Sequence, residues 1–162
     1  MKIIFLDIDG VLNSRETIMS NHEKRQRGEF TTPKIDGCGS DVCAPHKTLV
    51  DRLNKITGQT GAYIVVSSTW RINKTVVELR ELLRAFGVTG TVLDKTPRLF
   101  KRRGFEIQEW LDKGSPYGEI EKFVIIDDDS DMEHLMPHLI KTTNEKGLQD
   151  EHVKEAIERL NA

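Results

Sequence analysis

The sequence predicts an α/β fold, a parallel β-sheet with helices packed on both faces. Two observations carry this. Short, continuous apolar runs recur along the chain, as in strands buried on both faces. Between them lie longer segments whose apolar residues recur every three or four positions, as in helices that cover such a sheet. A third observation concerns function: three of the apolar runs end in clusters of polar residues.

In chain order, the first strand is read at Lys2–Leu6. Residues 14–44 follow, with little hydrophobic periodicity and several Gly, Ser, Asp and Asn. They read as an irregular flap over a site, with a short hairpin in it, or as a disordered loop. The stripe Leu49, Val50, Leu53 and Ile56 predicts a helix over His46–Thr57, with Gly58 as its C-cap. A second strand is read at Ala62–Val66. Val76, Leu79, Leu82, Leu83 and Phe86 predict a helix over Asn73–Phe86, with Asn73 as N-cap and Gly87 closing it. A strand at Thr91–Leu93, a helix at Phe105–Leu111 and a strand at Lys122–Ile126 come next. A weaker strand at His138–Lys141 and a helix at Gln149–Leu160 complete the pattern.

With 162 residues, the chain suits one domain, 1–162, and is short for two. It is 37% hydrophobic and 31% charged, as in ordinary soluble proteins, and its net charge of -2 selects neither nucleic acid nor an anionic membrane as a whole. The charge is uneven. Segment 95–103 (KTPRLFKRR) has five basic residues and no acidic one, whereas 127–162 is acid-rich, which reads either as a site for a charged substrate or as solvated loop. No apolar run is long enough for a signal peptide or a membrane span, so a cytoplasmic protein without membrane contact is expected. Cys38 and Cys43 do not form a disulfide framework there. With His46, and His22 as a fourth ligand, they offer a loose zinc spacing, against ordinary free thiols.

In open α/β sheets ligands bind beyond the carboxyl ends of the strands. The first strand ends in Asp7-Ile8-Asp9-Gly10, the second in Ser67-Ser68-Thr69-Trp70-Arg71, and the fourth in Asp127-Asp128-Asp129-Ser130-Asp131. Crowded carboxylates repel by roughly 4 kcal/mol per pair at 4 Å and an effective dielectric near 20. A cation relieves this, and oxygen-only ligands beside a phosphate substrate point to Mg²⁺. An ionised aspartate can then attack phosphorus and form an aspartyl-phosphate.

These motifs resemble those of the haloacid dehalogenase (HAD) superfamily of phosphohydrolases. Asp7-x-Asp9-Gly10-Val11-Leu12 matches its first motif, Ser67 the second, a Lys or Arg before the fourth strand the third, and Asp127-Asp128 the fourth. DIDGVLN, VVSSTWR, RGFEIQEWL and VIIDDDSDM are further similar to the small HAD domains associated with RNA-repair proteins. The resemblance implies a three-layer Rossmann-like fold with a small flap and no large cap. It implies an Mg²⁺-dependent phosphatase acting on phosphate monoesters. Asp7 would be the nucleophile and a metal ligand. Asp9 would be the general acid, then the base, and would offer the metal its backbone carbonyl. Gly10 would allow a sharp turn beside the phosphate. Ser67 would bind phosphoryl oxygens, with Ser68 and Thr69 as substitutes. Arg103 would be the third-motif cation, with Lys101 and Arg102 as rivals. Asp127 or Asp128 would complete the metal shell, and Arg71 would be a further phosphate contact.

Structural readings stand beside these. Asp-x-Asp-Gly can be a plain turn, Ser67 a strand end and Arg103 a solvated helix start. Asp129 and Asp131 read as caps of a helix beginning near Ser130, and Trp70 as core. No histidine shows metal-ligand spacing. An EF-hand does not fit from Asp7 or from Asp127, no phosphate-binding P-loop occurs, and the order of acidic residues is not that of a receiver domain. A HAD fold retained only for binding is the other class, against which stands the presence of both Asp7 and Asp9. A small flap leaves the site open to a nucleic-acid end or nucleotide, with phosphoproteins and small metabolites as alternatives. Phe100 and the basic run would serve a nucleic acid.

Overall fold

The structure, a computed structural model, describes residues 1–29 and 41–162. Its centre is a five-stranded sheet of β1 (Lys2–Leu6), β2 (Tyr63–Val66), β3 (Val92–Lys95), β4 (Lys122–Asp127) and β5 (Leu139–Lys141). The order is β3-β2-β1-β4-β5, and every neighbouring pair is parallel. The α/β, Rossmann-like class expected from the alternating pattern is therefore what the chain adopts.

The strands are continuous apolar runs because both faces are covered. In β1, Ile4 and Leu6 face one core while Ile3 and Phe5 face the other, and all four are fully buried. The first core is closed by three helices. They are α2 (Lys47–Thr60) through Val50, Leu53 and Ile56, α3 (Val76–Ala85) through Leu79 and Leu83, and α5 (Asp150–Asn161) through Val153, Ala156 and Leu160. The second core is closed by α4 (Arg103–Asp112) through Ile107 and Trp110, and by Leu135 of a 3-10 turn at Glu133–His138. Phe5 meets the Trp110 ring edge-on at 5.4 Å.

Several element ends differ from the sequence expectation. The 14–44 segment is not irregular throughout: Arg15–Gln26 forms α1. Its start is a capping box in which the Ser14 hydroxyl accepts the Thr17 N–H and the Thr17 hydroxyl accepts the Ser14 N–H. The helix buries only Asn21, which donates to the carbonyl of Val42 at 3.0 Å, so no apolar stripe announces it. A 3-10 turn follows at Asp41–Cys43, and residues 30–40, on which the expected hairpin falls, lie outside the described residues. Helix α2 runs through Gly58 to Thr60, and its C-cap is Gly61 at φ +67°. Helix α3 is capped by Thr75 in a box with Glu78, not by Asn73. The helical turn after Ser130 is the 3-10 turn at Glu133–His138, whose N-cap is Met132 with no side-chain cap bond, so neither Asp129 nor Asp131 caps it. Asp131 instead accepts the N–H of Arg103 at the start of α4.

Two glycines have opposite settings. A Cβ on Gly104 would lie 2.3 Å from the carbonyl oxygen of Met132, because α4 begins pressed against the segment after β4. A Cβ on Gly58 would meet nothing within 4 Å, and the residue sits in the interior of α2. Gly58→Ala is therefore expected to stabilise the protein by about 0.5–1 kcal/mol through helix propensity. Gly104→Ala is expected to destabilise it by about 1–3 kcal/mol through overpacking. Urea denaturation of the two variants measures both signs; equal shifts would contradict this packing of α4.

Candidate active site

The sheet ladder runs one residue past several strands. The N–H groups of Thr96, Ser67, Asp7 and Thr142 donate to the carbonyls of Val66, Leu6, Ile126 and Asp127 at 2.9–3.0 Å. Thr96, Ser67, Asp7, Asp127 and Thr142 thus stand in a row along one sheet edge, tied to one another through these backbone bonds. The three polar clusters read from the sequence meet there.

Asp7, Asp127 and Asp128 each present a carboxylate oxygen, and these oxygens lie within 4.8 Å of one another. Asp7 is 6% exposed and Asp127 fully buried. Arg103, at the start of α4, reaches into the group: its Nη1 lies 3.0 Å from Asp7 Oδ2 and also bonds Asp127 Oδ2. Asp127 Oδ1 accepts the N–H of Asp129 at 2.9 Å. Burial and the neighbouring Asp7 push the Asp127 carboxyl up to about 7, against the pull of Arg103. Burial and Asp7 also raise Asp128. Burial works against the charge of Arg103, but Asp7 and Asp127 outweigh it and raise its guanidinium above the ordinary value. When all three carboxylates are ionised, one guanidinium leaves an excess of two negative charges, which burial and mutual repulsion oppose, and the donors are all oxygen. That set fits a hard divalent cation such as Mg²⁺.

Gly10 makes the acidic cluster possible. It sits at φ +74°, and a Cβ there would fall 2.4 Å from both Cγ and Oδ2 of Asp128. Its carbonyl accepts the Thr142 hydroxyl at 2.7 Å, and its N–H donates to Asn13 Oδ1 at 3.0 Å. Ser67 is fully buried, and its hydroxyl has no partner, which leaves a hydrogen-bonding group unused at the strand end beside Asp7. Ser68 differs: its hydroxyl accepts the N–H of Trp70 at 3.3 Å and caps a short 3-10 turn at Thr69–Arg71.

Asp9 does not join the carboxylate cluster through its side chain. It is exposed, Oδ1 accepts from Asn13 Nδ2 at 2.8 Å, and Oδ2 accepts from Trp70 Nε1 at 3.0 Å. Trp70, read as core from the sequence, does pack partly on the first core, but its indole N–H is turned to Asp9. Asn13 closes the DIDGVLN stretch read from the sequence but carries no role there; its signal is its position, three residues beyond the glycine of the Asp-Gly turn.

Arg71 departs furthest from the sequence expectation of a phosphate contact. It is 4% exposed, and all five of its N–H donors are engaged. Nε donates to the Thr96 carbonyl, Nη1 to the carbonyls of Ser67 and Ser68, and Nη2 to the Pro97 carbonyl and to Glu106 Oε2. Glu106 Oε1 in turn accepts the Leu99 N–H at 2.8 Å. Burial lowers the Arg71 guanidinium from its ordinary value, with Glu106 opposing. Arg71 ties the ends of β2 and β3 to α4 and has no donor left for a ligand.

The rivals of Arg103 lie at the surface. Lys101 is exposed, and exposed Arg102 pairs with Glu133 at 2.9 Å. Lys95 is half-buried, its ammonium held by the carbonyls of Arg71 and Lys74, so it leaves the basic surface. Phe100 is 83% exposed at φ +56°, with the Arg98 guanidinium 4.3 Å from its ring centre. Of the zinc candidates, Cys38 lies outside the described residues, and His46 Nδ1 caps α2 by accepting the Thr48 N–H. Burial, then Asp9 and Asp41, raise the Cys43 thiol. Among the described residues, the group that could hold a metal ion is that of Asp7, Asp127 and Asp128.

A parallel α/β sheet with an Asp-x-Asp-Gly turn after its first strand, a hydroxyl after its second and an acidic pair after its fourth defines a HAD-type domain. The chain belongs to the family described as the HAD domain in Swiss Army Knife RNA repair proteins, whose model matches residues 3–153. No curated protein and no solved structure matches it significantly. Among the described residues, no helix is long and apolar enough to cross a membrane.

The raised Asp127 carboxyl gives a pH test without metal. Its folded-state value lies above the unfolded one of about 3.9, so the folded protein binds the proton more tightly and loses stability as pH rises between roughly 4 and 7. Asp127→Asn removes that loss. In chelator, the stability of Asp127→Asn relative to wild type is expected to rise across this window, and Mg²⁺ is expected to reverse the gain. Denaturation at pH 4.5 and 7.5, with and without Mg²⁺, measures it; a pH-independent difference would contradict it.

Proposed function

We propose that the protein is a phosphatase that hydrolyses phosphate monoesters through an aspartyl-phosphate on Asp7. The observation that carries this reading is the joint placement of a buried carboxylate, Asp7, beside a bridging guanidinium, an unpartnered hydroxyl and a second, exposed aspartate two residues on. A binding protein has no need of two aspartates so differently housed.

In the first step an Asp7 carboxylate oxygen forms a bond to phosphorus as the bond from phosphorus to the ester oxygen breaks. Asp9, as the carboxylic acid, gives its proton to that departing oxygen, and the alcohol leaves. In the second step Asp9, now the carboxylate, takes a proton from water. The water oxygen bonds to phosphorus, the phosphorus–Asp7 bond breaks, and inorganic phosphate and free Asp7 result. Arg103 and the Ser67 hydroxyl hold phosphoryl oxygens during both steps. Asp7, Asp127, Asp128 and the Asp9 carbonyl are the groups that would hold Mg²⁺. When bound, that ion offsets negative charge on the transferring phosphoryl group.

The substrate we propose is the phosphorylated end of a nucleic acid, or a nucleotide. The family's association with RNA repair supports this, as does the exposed loop that leads into Arg103, with Arg98, Phe100 and Lys101 on it. An aromatic face and two cations suit a base and its backbone.

Asp7→Asn is expected to abolish turnover and phosphoenzyme. Asp9→Asn is expected to retain Mg²⁺ binding and to lose about 10²–10⁴-fold in the rate of phosphoenzyme formation from an alkyl phosphate, with much less loss in that step from an activated aryl phosphate. Rapid-quench trapping with both substrates measures this, and full activity in Asp7→Asn would end the phosphatase reading. The double variant Arg98→Gln, Lys101→Gln is expected to weaken binding of a single-stranded oligonucleotide phosphate. The slope of log affinity against log salt should fall by about 0.7 for each phosphate that a removed cation had neutralised. An unchanged slope and affinity would make the loop a solvated one.

A further inference from the structure

We propose that Trp70 and Asn13 are positioning residues that act through Asp9, a role that rests on the phosphatase reading above. Each oxygen of the Asp9 carboxylate accepts one N–H donor, and the two donors come from different parts of the fold.

Asn13 is the fixed arm. It is 2% exposed, and its amide is fully engaged in the turn. Its carbonyl oxygen accepts the Gly10 N–H at 3.0 Å, and its Nδ2 donates both to Asp9 Oδ1 at 2.8 Å and to the Cys43 carbonyl at 2.7 Å. A single amide therefore closes the turn after β1 and anchors the 3-10 turn at Asp41–Cys43 beside it. Trp70 is the open arm. Its ring packs on the first core, and its backbone is set by the Ser68 cap and by the turn that ends in buried Arg71. The indole N–H then meets Asp9 Oδ2 at 3.0 Å, on the exposed side of the carboxylate.

An exposed aspartate has several side-chain rotamers, and only a carboxylate held near the departing oxygen is useful for proton transfer. Small displacements at such a group are costly to rate. Asn13 binds the inner oxygen, so Oδ2 is the one left to meet the leaving group, and Trp70 sets where it stands. An oxygen that accepts the indole N–H still has a second lone-pair direction for a proton. The contact thus fixes Oδ2 without consuming it. Trp70 lies three residues after the phosphate-binding Ser67, so one short turn after β2 serves both the phosphoryl group and the leaving-group acid. Neither residue is a catalytic residue; both act on the reaction only by holding Asp9.

The test compares Trp70→Phe with replacement of Trp70 by β-(3-benzothienyl)alanine, which keeps the bicyclic shape and lacks the N–H. Thermal denaturation checks that each folds. In rapid-quench measurements both variants are expected to lose about 10- to 100-fold in the maximal rate of phosphoenzyme formation from an alkyl phosphate, the step in which Asp9 protonates the leaving group. The half-saturating concentration should be little changed, and phosphoenzyme formation from an activated aryl phosphate should lose less than about 3-fold. On an Asp9→Asn background the same replacements should cost nothing further on the alkyl phosphate, because the group they position has lost its proton transfer. A merely structural role would lower phosphoenzyme formation from both substrates alike and would add to the Asp9→Asn loss; either result overturns the inference while wild-type turnover keeps the phosphatase reading. If wild type turns over neither phosphate, both fall. If the benzothienyl protein folds and matches wild type on the alkyl phosphate, the N–H has no positioning role.

Discussion

Three carboxylates held within 4.8 Å at one sheet edge are the constraint from which the rest of the site follows. Such a group is unfavourable alone, since each close pair repels by several kcal/mol in a protein-like dielectric. The chain supplies one cation from within, Arg103, and the fold is arranged to deliver it. Helix α4 begins pressed against the loop after β4, which only Gly104 permits, and Asp131 accepts the N–H of Arg103 at that helix start. Gly10 leaves the space that Asp128 fills, and Thr142 fixes the Gly10 carbonyl from the neighbouring β5 side. The remaining excess of negative charge is what a hard divalent ion is suited to neutralise. The local geometry of three loops is thus set by one electrostatic requirement.

The parts of this arrangement that are legible in the sequence are those with a repeating or clustered signal. Strands β1, β2 and β4 are unbroken apolar runs because both faces are buried, and their polar ends mark the site edge. Helices α2, α3 and α5 show their apolar stripes, which place them to within a few residues. Helix α1 shows none, since it buries a single asparagine, and its Ser14–Thr17 box lacks the usual Glu or Gln. Arg71 illustrates the opposite failure. Its residue type and its place after a strand suit a phosphate contact, yet five carbonyl and carboxylate acceptors surround it. No local pattern encodes that convergence. Trp70 reads as core because its ring is; the direction of its single N–H is decided by a short turn that only the fold defines.

The segment after β1 is more than a cover. Asn21 of α1 holds the carbonyl of Val42, and Asn13 holds the next carbonyl, that of Cys43, with the same amide nitrogen that holds Asp9. The described part of the insertion is therefore joined to Asp9 by two hydrogen bonds in series. A displacement of the Asp41–Cys43 turn would bear on Asn13 before it bore on Asp7, whose backbone is fixed by β4. The two aspartates of the first motif thus differ in what can disturb them.

The Arg71–Glu106 pair settles how the basic loop is presented. A buried ion pair contributes little to stability by itself, because desolvation offsets its attraction, but removing one partner typically costs about 3–5 kcal/mol. Here both partners are fully bonded, and their bonds fall on the base of the loop, at the carbonyls of Thr96 and Pro97 and the N–H of Leu99. Beyond that strap the chain turns outward. Phe100 adopts a left-handed backbone that a non-glycine residue holds at a cost of about 1–3 kcal/mol. Its ring is left 83% exposed, where burial would have been favourable. An exposed phenylalanine on a strained residue, stacked by an arginine and three residues before the guanidinium that touches Asp7, gains nothing from the packing of this domain. That exposed ring and the cation stacked on it are the features that the proposed nucleic-acid substrate would use, an aromatic face for its base beside cations for its backbone.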